Sequence, residues 1–115
     1  MMNRLFIVGF IGSFFTLLPP LHGAENQGEA VVTALGKANG IALFCRYSQE
    51  VEEIKNAMMA HTPKRPEYRD IFFDATNDTF LKQTRFKRAC PSQAQLALTI
   101  QKQTLNLKEA FKPNP

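Results

Sequence analysis

The stretch AVVTALGKANGIALFCRY (residues 30–47) decides the fold. Ala30, Ala34, Ala38 and Ala42 recur every four residues with Val31, Leu35 and Ile41 beside them, so an α-helix over about 28–47 carries one stripe of small side chains. Such a stripe lets a neighbouring helix come close. Gly36 and Gly40 add a GxxxG spacing, but Lys37 and Asn39 between them exclude a membrane dimerisation motif. Each interior glycine also weakens a helix by about 1 kcal/mol, which counts against a straight helix here.

Outward from this stretch the periods stay helical. Ser48, followed by Gln49, Glu50, Glu52 and Glu53, reads as an N-cap with carboxylates in the first turn, where the helix dipole favours them. Val51, Ile54 and Met58 give the next helix an apolar face ending near His61. Phe44 and Tyr47 continue that spacing backwards, so one bent helix over about 30–61 competes equally with two. Pro63 and Pro66 around Lys64 and Arg65 form a stiff breaker, and Pro66 suits the first position of a following helix. Tyr68, Phe72, Ala75, Phe73 and Phe80 follow helical offsets; Ile71, Phe72 and Phe73 also fit a buried strand, and the helix is preferred. Ser92 and Gln95 ahead of Leu96, Leu98 and Ile100 make a capping box that starts a last helix through about Phe111. The fold class expected is all-α, a small helical bundle of three to five helices braced by one disulfide.

At the N-terminus, Arg4 precedes an apolar run from Leu5 to Leu18, then Pro19, Pro20 and the small pair Gly23 and Ala24, the order of a secretory signal. The run is shorter than the roughly 20 residues that a spanning helix needs. The expected division is a signal peptide over 1–24 and a single mature helical domain over 25–115, secreted or periplasmic, with no stable membrane insertion after cleavage. A chain of 115 residues excludes a multidomain enzyme.

The mature part is small for a self-sufficient core, which is expected to rest on Phe44, Phe72, Phe73, Phe80, Phe86, Phe111 and the aliphatics. Cys45 and Cys90 are the two cysteines, and in an exported chain they are expected to pair. Closing a loop of about 46 residues stabilises by roughly 4 kcal/mol on the chain-entropy estimate. An intermolecular disulfide and a reactive thiol are the competing readings.

Charge is polarised along the chain. Residues 25–81 hold six Lys and Arg against nine Asp and Glu, net −3, whereas residues 82–115 hold seven against one, net +6. The basic third is read either as packing beside the acidic helix or as steering the protein toward acidic surfaces, anionic lipid or polyanionic glycans.

Catalytic constellations are missing from the mature sequence. Its one histidine, His61, lies near Met58 and Met59, a set whose soft thioethers suit Cu(I) but also suit packing and a helix C-terminus. A Cys–His nucleophile needs a thiol that the disulfide consumes. Glu52 and Glu53 are sequence neighbours and do not face each other on a helix. There is no Gly-rich phosphate loop, so the protein is read as no enzyme and no cofactor is expected. Asn77, Asp78 and Thr79 form a glycosylation triplet. Lys87 and Arg88 form a dibasic pair, and export argues against nucleic acid as the partner of Arg85, Phe86, Lys87 and Arg88.

Three readings of function follow. The first is an exported, non-enzymatic, chaperone-like or partner-binding protein whose helices present an apolar groove of Phe72, Phe73, Phe80 and Phe86 with a basic rim of Lys82, Arg85, Lys87 and Arg88 to a protein partner or client. In layout, exported, helical, of this size and with one disulfide, the chain is similar to the small acid-stress chaperones of the bacterial periplasm. That resemblance covers architecture alone and carries over no residue; the net basic charge and single mature histidine depart from an acid switch. The second reading is an accessory or immunity subunit of an envelope or secretion complex, recognising an acidic surface through the same four basic residues. The third is a small metal carrier using His61 with the methionines.

Overall fold

The chain turns at Arg46. The computed structural model describes residues 23–113, with side chains from Gln27 onward, and among them four helices: α1 (Gly23–Cys45), α2 (Ser48–His61), α3 (Pro66–Phe86) and α4 (Gln93–Ala110). Residues 1–22 of the expected signal segment (1–24) lie outside the described residues; α1 begins at Gly23, five residues before the expected start. Arg46 adopts φ 63°, and the Tyr47 N–H donates to the Ala42 carbonyl at 2.9 Å, so two helices replace the single bent one. Tyr47, not Ser48, is the N-cap of α2, and its side chain makes no capping bond. The second left-handed residue, Lys87 at φ 49°, ends α3.

The other sequence signals act as expected. Pro66 occupies the first turn of α3, which is helical through Ile71, Phe72 and Phe73. Ser92 Oγ accepts from the Gln95 N–H at 3.1 Å and starts α4, which ends at Ala110 with Phe111 as its cap. Along α4 the buried positions are Leu96, Ile100 and Leu107, spaced for one helical face, while Leu98 points outward at 65% exposure.

Consecutive helices alternate in direction, so α1 runs parallel to α3 and α2 to α4. The core centres on α1, α2 and α4, with Tyr68 of α3 at its edge: Val32, Leu35, Ala38 and Ala42 share a cluster with Ile54 and Ala57 from α2, Leu96, Ile100 and Leu107 from α4, and the buried Tyr68. No phenylalanine of the described chain is fully buried, contrary to expectation. Alanines and glycines on α1 draw the neighbouring backbones close, and the phenylalanine rings settle at the margins while the Tyr68 ring alone among the described aromatics is buried. Phe44 meets Phe80 edge-on at 5.9 Å, and Phe111 meets Tyr68 edge-on at 5.0 Å.

Helix α3 is attached differently. Among the described helices its backbone comes close to α1 alone, and that contact runs over Gly36 and Gly40. A Cβ on Gly40 would lie 2.6 Å from the Thr76 carbonyl oxygen, and one on Gly36 would lie 2.7 Å from both the Phe72 carbonyl oxygen and Ala75 Cβ. The GxxxG pair therefore seats a partner helix within its own chain, and α1 passes through both glycines unbroken. Thr76 locks the crossing: its hydroxyl accepts from Asn39 Nδ2 at 3.3 Å and shares its proton between the carbonyl oxygens of Phe72 (2.8 Å) and Gly36 (3.2 Å). Both side chains are buried.

Three ties fasten the α1–α2 turn to the α3–α4 turn. The Cys45–Cys90 disulfide is formed, with Cα atoms 5.8 Å apart. Beside it the Tyr47 hydroxyl donates to the Pro91 carbonyl at 2.7 Å, and Gln93 Nε2 donates to the buried Glu50 carboxylate at 2.8 Å. One end of the molecule is thus pinned, and the α2–α3 turn lies at the other.

Candidate functional site

Because the glycines draw α3 onto α1, α3 approaches neither α2 nor α4 at backbone-contact range. In an up-and-down bundle the parallel pair α1 and α3 would sit on a diagonal, with α2 and α3 as neighbours. Here the diagonal is closed and the α2–α3 side is left open. The opening is a groove of about 620 Å³, within the range of ligand cavities.

One wall comes from α2, with Val51, Met58 and Met59, and the other from α3, with Tyr68, Phe72 and Phe73. Asn39 of α1 lies at the floor, and the turn Thr62, Pro63, Lys64 and Arg65 closes one end. Val51, Met58 and Phe72 also pack on the core and are half-buried, whereas Met59 and Phe73 are exposed at 57% and 52%. The Thr62 hydroxyl donates to Met58 Sδ at 3.6 Å and fixes that thioether against the turn.

Among the described residues four cations, Lys55, Lys64, Arg65 and Arg69, border the groove, and no carboxylate lines it. Arg65 stacks over the Tyr68 ring at 5.1 Å and lies 3.5 Å from Glu67. Lys55 lies 3.8 Å from Glu52, and Arg69 lies 4.0 Å from Asp70, distances at the edge of ion pairing for exposed groups. Lys64 Nζ donates to the Met59 carbonyl at 3.0 Å, on the C-terminal turn of α2 where a cation is favoured.

The residues expected to form the site are dispersed. Phe72 and Phe73 line the groove, while Phe80 lies against Phe44 and Phe86 sits at the last position of α3, under the Arg88 guanidinium at 5.3 Å. The four phenylalanines do not share one groove. Phe72 and Phe86 are fourteen residues apart on one helix, about 21 Å. The expected basic rim lies near the pinned end: Lys82 pairs with Asp78 at 3.0 Å, and Arg85, Lys87 and Arg88 are exposed around the α3 terminus. None of the ion pairs among the described residues joins the basic C-terminal third to the carboxylates of α2; every one is local along the chain.

His61 is also set apart from the methionines. Met58 and Met59 line the α2–α3 groove, whereas His61 lines a crevice between α2 and α4 with Glu53, Gln101 and Leu105. Among the described residues no three His, Cys, Asp or Glu side chains come together as a metal set, and no helix is long and apolar enough to cross a membrane.

The cations that border the groove were not selected from the sequence. Lys64 and Arg65 read there as part of a breaker, and Lys55 and Arg69 enter only the charge count of residues 25–81. The signal that could have found them is the GxxxG itself, which fixes which helix pair closes and therefore which pair opens. Compared with known proteins, the chain matches no family model, no curated protein and no solved structure.

Proposed function

We propose that this is an exported, non-enzymatic binding protein that holds an apolar segment of a partner or client chain in the α2–α3 groove. One observation carries the reading: a cavity of about 620 Å³ with apolar walls from two helices and a border of four cations, on a chain of fewer than 120 residues. Walls of Met and aromatic side chains suit variable partners, since thioethers repack and rings bury area with few rotors. The signal-like first 24 residues and the Cys45–Cys90 bond support an oxidising compartment outside the cytosol.

The test uses the two exposed wall residues, whose replacement leaves the core intact. Met59→Glu with Phe73→Glu puts carboxylates on the facing walls. It is expected to abolish suppression of client aggregation, measured by light scattering, at unchanged helicity and melting temperature. Full suppression by that variant overturns the reading. The accessory-subunit reading places recognition on Lys82, Arg85, Lys87 and Arg88, so reversing those four charges separates the two: the groove reading expects capture to survive, the subunit reading expects its loss.

A further inference from the structure

Resting on the groove reading above, we propose that the occupant is an amphipathic α-helix of about three turns, with its apolar face flanked by Asp or Glu. Its length follows from the walls: Val51 to Thr62 is eleven residue steps of helix and turn, about 16 Å.

Its conformation follows from the walls being helices. The backbone groups of α2 and α3 are already bonded within their own helices, so an extended segment buried between them would have nothing to pair its N–H and C=O groups with. A helix satisfies its own. It also takes the position that α3 leaves vacant by closing onto α1, and lies along α2 and α3 as a fourth neighbour would in an up-and-down bundle.

Its charge follows from the rim. Lys55 stands on the α2 wall, Arg69 on the α3 wall, and Lys64 and Arg65 at the closed end, with no carboxylate of the described residues lining the cavity. A cationic border on three sides disfavours a basic flank and attracts an acidic one, through association rate and register more than through raw affinity. The two cations at the closed end also suit the negative end of a helix dipole, which orients the occupant with its C-terminus toward Lys64.

The experiment uses the disulfide-bonded exported chain and three fluorescent 14-residue peptides with one leucine face: one flanked by Glu, one flanked by Lys, and the Glu peptide with a central proline. At low salt, anisotropy is expected to show the Glu helix binding about tenfold or more tighter than the Lys helix, with the proline peptide weakened similarly. Lys55→Glu, Lys64→Glu and Arg69→Glu together are expected to invert the preference; Arg65 is kept because it stacks on Tyr68. Equal binding of Glu and Lys helices overturns the charge inference and leaves the groove reading standing. Undiminished binding of the proline peptide overturns the helical one. Failure of all three peptides, with the wild-type melt intact, brings down the proposal and the groove reading together. Displacement of the Glu helix by hexadecanoate at equal concentration would instead make the groove an acyl-chain site and also overturn the proposal.

Discussion

Thr76 ties α3 to α1 through one buried hydroxyl. A threonine in the middle of a helix ordinarily bonds back to its own helix, as this one does to Phe72, and contributes little. Here the same hydroxyl is shared with the Gly36 carbonyl across the interface and accepts from Asn39, so two helices are joined through one buried oxygen. Replacing Thr76 by valine keeps the shape and removes the acceptor, leaving the Asn39 amide buried at 8% exposure without this partner. The expected loss is about 1–3 kcal/mol in urea denaturation, with Thr76→Ser close to wild type. A valine variant as stable as wild type would mean that the amide finds water or another acceptor.

At the scale of elements, the interface between α1 and α3 opposes helix propensity to packing, and the two predict opposite signs. Gly→Ala within a helix is worth about 1 kcal/mol of stability on propensity alone. At Gly36 and Gly40 the added Cβ would meet carbonyl oxygens of α3 at 2.7 and 2.6 Å, and backbone cannot swing aside as a side-chain tip can. Overpacking of this kind costs about 1–3 kcal/mol, so each substitution is expected to destabilise by up to about 2 kcal/mol net, with faster amide exchange confined mainly to α3. Lys37→Gly compared with Lys37→Ala, at an exposed position of the same helix, should show the propensity difference of about 1 kcal/mol without the clash.

This opposition also marks what was legible in the sequence. The helices at Pro66 and Ser92, the disulfide and the all-α class follow from local signals: a proline at N1, a capping serine and two cysteines in a chain with an export-like start. The break at Arg46 carries no glycine or proline to announce it, since the turn is set by the ties around Cys45 and Tyr47. The groove was half legible. Phe72 and Phe73 belong to it because they follow the turn that closes it, whereas Phe80 and Phe86 have the same residue type but lie farther along α3. Charge density pointed to residues 82–88, yet the cavity lies between α2 and α3, a location fixed by which helices touch.

Across the whole molecule, stability and opening are separated by length. Cys45–Cys90, Tyr47 with Pro91 and Glu50 with Gln93 gather at one end, while Thr62 to Arg69, which close the groove, stand at the other. The disulfide closes a loop of 45 intervening bonds along the sequence and acts on the unfolded ensemble, removing conformations that the reduced chain would regain, so breaking it costs roughly 4 kcal/mol wherever the groove lies. For a domain of this size each kcal/mol moves the midpoint by about 4–8 °C, and reduction is expected to lower the melting temperature by roughly 15–30 °C. The two flanking hydrogen bonds still hold the turns in register in the reduced native state, so at low temperature the reduced protein should keep its helicity and its affinity for the Glu-flanked helix. Circular dichroism melts and anisotropy on the same reduced, alkylated sample check both halves. A melt that does not move would mean that the brace contributes nothing. A native but non-binding reduced protein would mean that the pinned end sets the spacing of α2 and α3, so that the bond governs the groove as well as the fold.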